Sequence, residues 1–185
     1  MQQMIRSRAP VRIDFAGGWT DVALFTQEQP GAIVNAAINV YSYVTAKKKK
    51  GKSKSEDSET RRDNSIRIYS ADFDIYEEAA EIKELEYNGN IDLAKAAIKR
   101  VNINFGLELI TRSNAPAGSG LGSSASMGVA LIGALARLAG LTLLPYEYAE
   151  IASSIERHEL GILGGKQDQY ASAIGGINFM EVSGE

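Results

Sequence analysis

Apolar positions recur along this chain with two different periods, and the change from one to the other divides it. In the first part they run as strands: Ile5 to Phe15, then Ala32 to Ala46, rich in Val, Ile and Tyr, and then the alternating Ile66-Arg67-Ile68-Tyr69-Ser70. The first two read as an extended pair in one sheet. Lys47 to Asp63, KKKKGKSKSEDSETRRD, holds no apolar residue and predicts a solvated loop or hairpin tip. Further on the period becomes helical. Ile91, Ala94, Ile98 and Val101 share one helix face, Glu108 to Arg112 reads as a short strand, and Met127, Leu131, Ala134, Leu135 and Leu138 keep helical spacing until Gly140 stops them. Another helix opens near Pro145, a residue suited to the first helical position, and runs through Ile151, Ala152 and Ile155 toward Gly161. A shorter one covers Gln167 to Ile174, and a strand-like run, Gly176 to Val182, follows. The pattern predicts an α+β fold: a mixed, mostly antiparallel sheet with helices packed on one face.

Composition narrows the picture. The 185 residues are one domain's worth, and 44% hydrophobic with 23% charged residues is a globular mixture. A net charge of −3 provides no general field for polyanions, so neither nucleic acid nor an anionic membrane is an expected partner and any anion site must be local. Without cysteine there is no disulfide framework, zinc–thiolate site or thiol nucleophile, and the cytoplasm is the expected compartment. The start lacks the apolar core of a signal peptide, and no stretch reaches the roughly 18 apolar residues that span a bilayer.

The chemistry concentrates at glycine. Its 18 residues cluster, most densely in Pro116-Ala117-Gly118-Ser119-Gly120-Leu121-Gly122-Ser123-Ser124-Ala125, ahead of a helix. Such a loop can turn backbone N–H groups into one concavity beside the positive end of the helix dipole, which suits phosphate. Ser123 and Ser124, at the helix start, can cap it, touch phosphate or complete a Mg²⁺ shell. A plain Gly-rich turn with a Ser cap fits the spacing equally. Neither the Walker loop nor the dinucleotide fingerprint is present.

This segment resembles the second motif of the GHMP kinases, Pro-x-x-x-Gly-Leu-x-Ser-Ser-Ala, without a gap. The opening Arg8-Ala9-Pro10-Val11-Arg12-Ile13-Asp14-Phe15-Ala16-Gly17-Gly18-Trp19-Thr20-Asp21 resembles their first motif. Its Ala-Gly-Gly-x-Thr-Asp form, the following Gly31 to Ile38, and Gly165 to Phe179 are similar to the D-glycero-D-manno-heptose 7-phosphate kinases and related fucokinase domains. The resemblance implies a ribosomal protein S5 domain 2-like fold, with residues 1–185 as the amino-terminal ATP-binding domain and the family's carboxy-terminal domain absent.

By the same resemblance, Pro116, Gly118, Ser119, Gly120, Leu121, Gly122, Ser123 and Ser124 would bind ATP. Ser124 and Glu156 would hold Mg²⁺, with Glu159 as the competitor. Glu156 stands one residue farther from Asp168 than its counterpart does in mevalonate kinase. Asp168 would be the catalytic base and Arg12 the basic group beside it. Asp21, with Gly18 and Trp19, would meet the substrate, a sugar or sugar phosphate, and Trp19 either stacks on a sugar face or fills a core gap. Galactokinases carry Glu-His where this chain has Gly18-Trp19, which argues against galactose. The implied activity is ATP-dependent phosphorylation of a heptose 7-phosphate at its anomeric hydroxyl, with the activity of the fragment alone left open. The alternatives are a fucokinase-like enzyme and a non-catalytic nucleotide- or sugar-binding domain. His158 is expected at the surface. Ile177, Phe179, Met180 and Val182 form an apolar strand expected to face water in part and to promote self-association.

Overall fold

The computed structural model describes residues 3–49 and 63–184. In chain order the elements are β1 (Met4–Ala16), the single turn α1 (Ala23–Thr26), β2 (Gly31–Lys48), β3 (Ile66–Ser70), β4 (Ile75–Ala79), α2 (Asp92–Arg100), β5 (Leu107–Ser113), α3 (Ser123–Leu138), α4 (Pro145–Ser154), α5 (Gln167–Ile174) and β6 (Ile177–Val182). A 3₁₀ turn lies at Ile82–Glu84, and a π-helical turn, Ile155–Glu159, extends α4.

The strands form one sheet in the order β1-β2-β5-β3-β4, with β6 paired to the first part of β2. Every pairing is antiparallel except that of β3 with β5. This is the mixed, mostly antiparallel sheet that the pattern predicts; β1 and β2 are its two longest strands, with β1 at the edge. Alternation decides the faces: Ile66 and Ile68, Leu107 and Leu109, and Val44 and Ala46 are buried, while Arg67, Tyr69 and Ile110 point outward.

Helix α3 lies against the buried face. Its small residues let it approach closely, so that it is buried almost all round rather than along one stripe. A Cβ at Gly133 would fall 2.7 Å from Ser7 Oγ on β1, and one at Gly128 would touch the Ala152 methyl of α4 at 3.4 Å. Ser126 Oγ donates to the Ala9 carbonyl at 2.8 Å and pins the helix to the strand.

Two expectations change. β2 continues through Lys47 and Lys48, where the lack of apolar residues predicts a loop. The strand has partners on both sides there, Lys47 Nζ meets Glu108 Oε2 at 3.0 Å, and the Lys48 ammonium sits 4.2 Å from the Phe105 ring centroid. Cross-strand partners thus replace the apolar payload. Residues 50–62 of that expected loop lie outside the described residues. The other change is β4, which the pattern does not predict: two of its five residues are acidic, and it holds to β3 partly through Arg67 Nε and Glu78 Oε1 at 2.8 Å. Among the described residues no helix is long and apolar enough to cross a membrane.

Candidate active site

The Gly-rich segment connects β5 to α3. Gly118, Gly120 and Gly122 have φ of 72°, 73° and 72°, a left-handed conformation costly for residues with a Cβ. Gly122 occupies the N-cap position and no side chain caps α3, so Ser123 and Ser124 open the helix without performing the capping that the sequence allows.

Arg12 ties this loop to β1. The register of β1 with β2 slips between Pro10 and Arg12 and again between Asp14 and Ala16, which frees the Arg12 backbone from the regular ladder. Its N–H donates to the Leu121 carbonyl at 3.0 Å and its Nη1 to the Gly120 carbonyl at 2.5 Å. Its Nε lies 2.7 Å from Asp168 Oδ1 and 3.3 Å from Asp14 Oδ1. Asp168 stands in the first turn of α5, and a Cβ at Gly122 would fall 3.0 Å from its Oδ2. Burial raises the Asp168 carboxyl above its ordinary value, the Arg12 charge and hydrogen bond pull it back, and the charges of Asp14 and Asp21 add to the rise.

Glu156 is buried on the other side of the loop. It accepts hydrogen bonds from Ser124 Oγ and from Gln169 Nε2. Burial raises its carboxyl, those two hydrogen bonds oppose the rise, and the Asp168 charge adds to it. Glu156 sits in the π-helical turn, a form that takes one more residue than an α-helical turn. The competitor Glu159 points elsewhere and accepts a hydrogen bond from Tyr87. Among the described residues no group of three or more His, Asp or Glu side chains forms a metal cage. Ser124 and Glu156 instead offer two adjacent hard oxygen donors beside the loop, which fits Mg²⁺ held mainly by phosphate and water.

Asp21 departs from the simple expectation. Its carboxylate is buried and accepts the backbone N–H of Gln167 at 2.9 Å and the Gln167 Nε2 at 3.4 Å, anchoring the start of α5. It still borders the cavity. Gly18 lies beside Asp14: a Cβ there would be 3.4 Å from Oδ2. Trp19 is 73% exposed with φ of +71°, so it stands at the cavity rim and fills no core gap.

A cavity of about 390 Å³ joins Arg12, Trp19, Asp21, Glu156 and Asp168 to the loop glycines. Pro116, Ser119 and Leu121 shape the loop without lining it. Across the loop, a second cavity of about 290 Å³ shares Gly118, Ser123 and Ser124 and is walled by Phe73, Ile91, Leu93, Met127 and Leu131. Sequence reasoning missed Asp14, Gln169 and this apolar wall, whereas Gln167, which flanks Asp168 and could reach a substrate phosphate, meets Asp21 instead. Asp14 and Gln169 lie inside the first motif and the Gly165 to Phe179 segment, and only their nearness to Arg12 and Asp168 in the chain marked them. His158 is exposed, as expected.

Comparison with known proteins follows the same lines. The GHMP kinases N terminal domain matches residues 91–176. D-glycero-alpha-D-manno-heptose 7-phosphate kinase of Campylobacter jejuni is 38% identical over 182 residues, 96% of this chain and 50% of the relative. A galactokinase of Streptococcus suis is 32% identical, covering 92% of this chain and 41% of its own length. The crystal structure of a D-glycero-D-manno-heptose 1-phosphate kinase from Bacteroides thetaiotaomicron superposes with a TM-score of 0.85 at 35% identity, over 98% of this chain and 57% of that one. The chain thus spans about half the length of the relatives it matches.

Proposed function

The chain carries the amino-terminal domain of the GHMP kinases, and from that premise we propose that it takes part in transferring the γ-phosphoryl group of ATP to a sugar hydroxyl. One observation carries the reading: the Asp168 carboxylate, gripped by Arg12 at 2.7 Å, faces the phosphate loop across the Gly122 position. The triphosphate lies along Gly118 to Ser124, and the nucleoside enters the apolar cavity beside Ile91, Leu93 and Met127. The acceptor hydroxyl gives its proton to Asp168 as its oxygen bonds to the γ-phosphorus, and the bond from that phosphorus to the bridging oxygen breaks to release ADP. Arg12 opposes the rise that burial imposes on the Asp168 carboxyl and so favours its ionised form. Ser124 and Glu156 would hold Mg²⁺, which would supply charge neutralisation for the phosphates.

The substrate we propose is a heptose 7-phosphate, supported by the 38% identity to a heptose 7-phosphate kinase and by the Ala-Gly-Gly-x-Thr-Asp motif. A fucokinase-like activity is the second reading, and turnover of L-fucose but not of heptose 7-phosphate would select it. Work in the cytoplasm and self-association through the outward Ile177 and Phe179 of β6 belong to the same proposal.

Asp168→Asn tests the mechanism, since it keeps the shape and removes the charge. In protein that turns over, kcat is expected to fall about 10²- to 10⁴-fold. MgATP affinity by calorimetry is expected to stay nearly unchanged, because the proton is accepted only in the transition state. Turnover within a few-fold of the parent eliminates Asp168 as the base. MgATP binding without any ADP release in the parent identifies a binding domain instead.

A further inference from the structure

Lys95 is the largest fully buried side chain of the described residues, and the reaction derived above does not use it. A lysine without solvent contact needs acceptors, and four converge on it. Its Nζ lies 3.0 Å from the Glu86 carbonyl, 2.7 Å from Asn88 Oδ1, 3.2 Å from Asp92 Oδ1 and 2.8 Å from Glu77 Oε2. Asp92 in turn accepts the backbone N–H groups of Asn88 at 3.1 Å and Gly89 at 2.8 Å. Asn88 accepts the Asn90 N–H at 3.0 Å and donates to Glu77 at 3.3 Å. Every one of these groups lies in the turn over residues 86–92, in the first turns of α2, or on β4. One ammonium therefore fastens the turn to the helix and to the sheet edge.

The turn ends at Ile91, whose φ of 46° and ψ of 30° are left-handed. For a β-branched side chain that conformation is a genuine outlier, held only where its surroundings determine it. Ile91 and the following Leu93 form part of the wall of the apolar cavity that adjoins Gly118, Ser123 and Ser124. The strained residue is thus the one that the Lys95 cluster delivers to the cavity.

We propose that Lys95 is a positioning residue for the nucleotide, holding the turn over residues 86–92 so that Ile91 and Leu93 stay in place against the nucleoside. This rests on the reading that the nucleoside occupies that cavity. The cluster acts on the nucleoside half of the ligand only, since the triphosphate meets the loop before α3, on which Lys95 has no contact.

Two probes separate the halves: MgATP, and magnesium tripolyphosphate, which has the phosphates without the nucleoside. Both are titrated calorimetrically into the 185-residue parent, Lys95→Met and Asn88→Ala, at a temperature where circular dichroism shows each folded. The parent is expected to bind MgATP more tightly than tripolyphosphate. If the pinned turn falls to about one-tenth occupancy in Lys95→Met, MgATP affinity drops about tenfold while tripolyphosphate affinity is unchanged. Asn88→Ala, at an exposed turn position, removes one acceptor and keeps the ammonium paired, so it gives a smaller loss of the same kind even if Lys95→Met does not fold. Parent-like MgATP affinity in a folded Lys95→Met, or in Asn88→Ala when the first variant fails to fold, overturns the proposal. An equal loss for both probes also overturns it, since that marks a general structural defect. A parent that binds neither probe refutes the phosphate-loop reading itself, a result distinguishable from the others.

Discussion

Glu156 is a buried acid with no cation against it among the described residues: its two oxygens meet the Ser124 hydroxyl and the Gln169 amide. Burial is the largest influence on it and raises its carboxyl. A carboxyl whose folded pKa lies above its unfolded value favours the fold while protonated, and this stabilisation disappears as pH rises through the folded value. Above that value the ionised group therefore lowers stability. Glu156→Gln, uncharged throughout, is expected to melt a few degrees above the parent at about pH 8 and to match it near about pH 4, where the parent's carboxyl is protonated too. Calorimetric melts at both pH values check this, and a gain that is the same at both contradicts it. At this scale the sequence was most legible where a residue's identity is bound to a motif, as with Gly118 to Ser124, Arg12 and Asp168. It was least legible for Gln169 and Asp14, because nothing in a linear pattern says that a glutamine will donate to a buried acid or that a second aspartate will share an arginine.

Elements bring the site together by small irregularities. The slips in β1 turn Arg12 toward the loop, and the π turn presents Glu156 with one residue more than an α-helix takes. Neither irregularity has a hydrophobic period of its own. Regular helices and strands, by contrast, were legible in their periods. Helix α5 depends on a further long-range contact, because Asp21 accepts its first N–H from outside the helix. Gly165 is what lets Asp21 come so close: a Cβ there would fall 1.8 Å from Oδ2. Gly165→Ala is therefore expected to push the carboxylate off the helix start and to cost about 0.5–2 kcal/mol, the usual loss for an N-terminal cap. Gly164→Ala, whose added Cβ meets nothing within 4 Å, is the control. Urea unfolding of the pair is the measurement, and equal midpoints would show that Asp21 does not hold α5.

For the whole molecule, strand β6 leaves an apolar face in water: Ile177 is 79% and Phe179 67% exposed, and among the described residues β6 pairs with β2 alone. Such a strand is a template for association. Sedimentation of the 185-residue chain is expected to show concentration-dependent oligomers that Phe179→Glu dissolves, and a monomer at all concentrations would count against it. The fold's outline reached this scale from the sequence, since five of the six strands among the described residues, all but β4, and the main helices follow from patterning. Their order in the sheet did not, because pairing depends on contacts between distant segments. One such contact has a spectroscopic consequence. The Arg12 amide belongs to a strand yet gives its hydrogen to Leu121 in the phosphate loop, so its isotope exchange reports the opening of the loop rather than fraying of the sheet. In deuterated buffer it is expected to exchange faster than the neighbouring β1 amides bonded to β2 and to slow when MgATP settles the loop. A single backbone proton in the first strand thus becomes a clock for nucleotide occupancy.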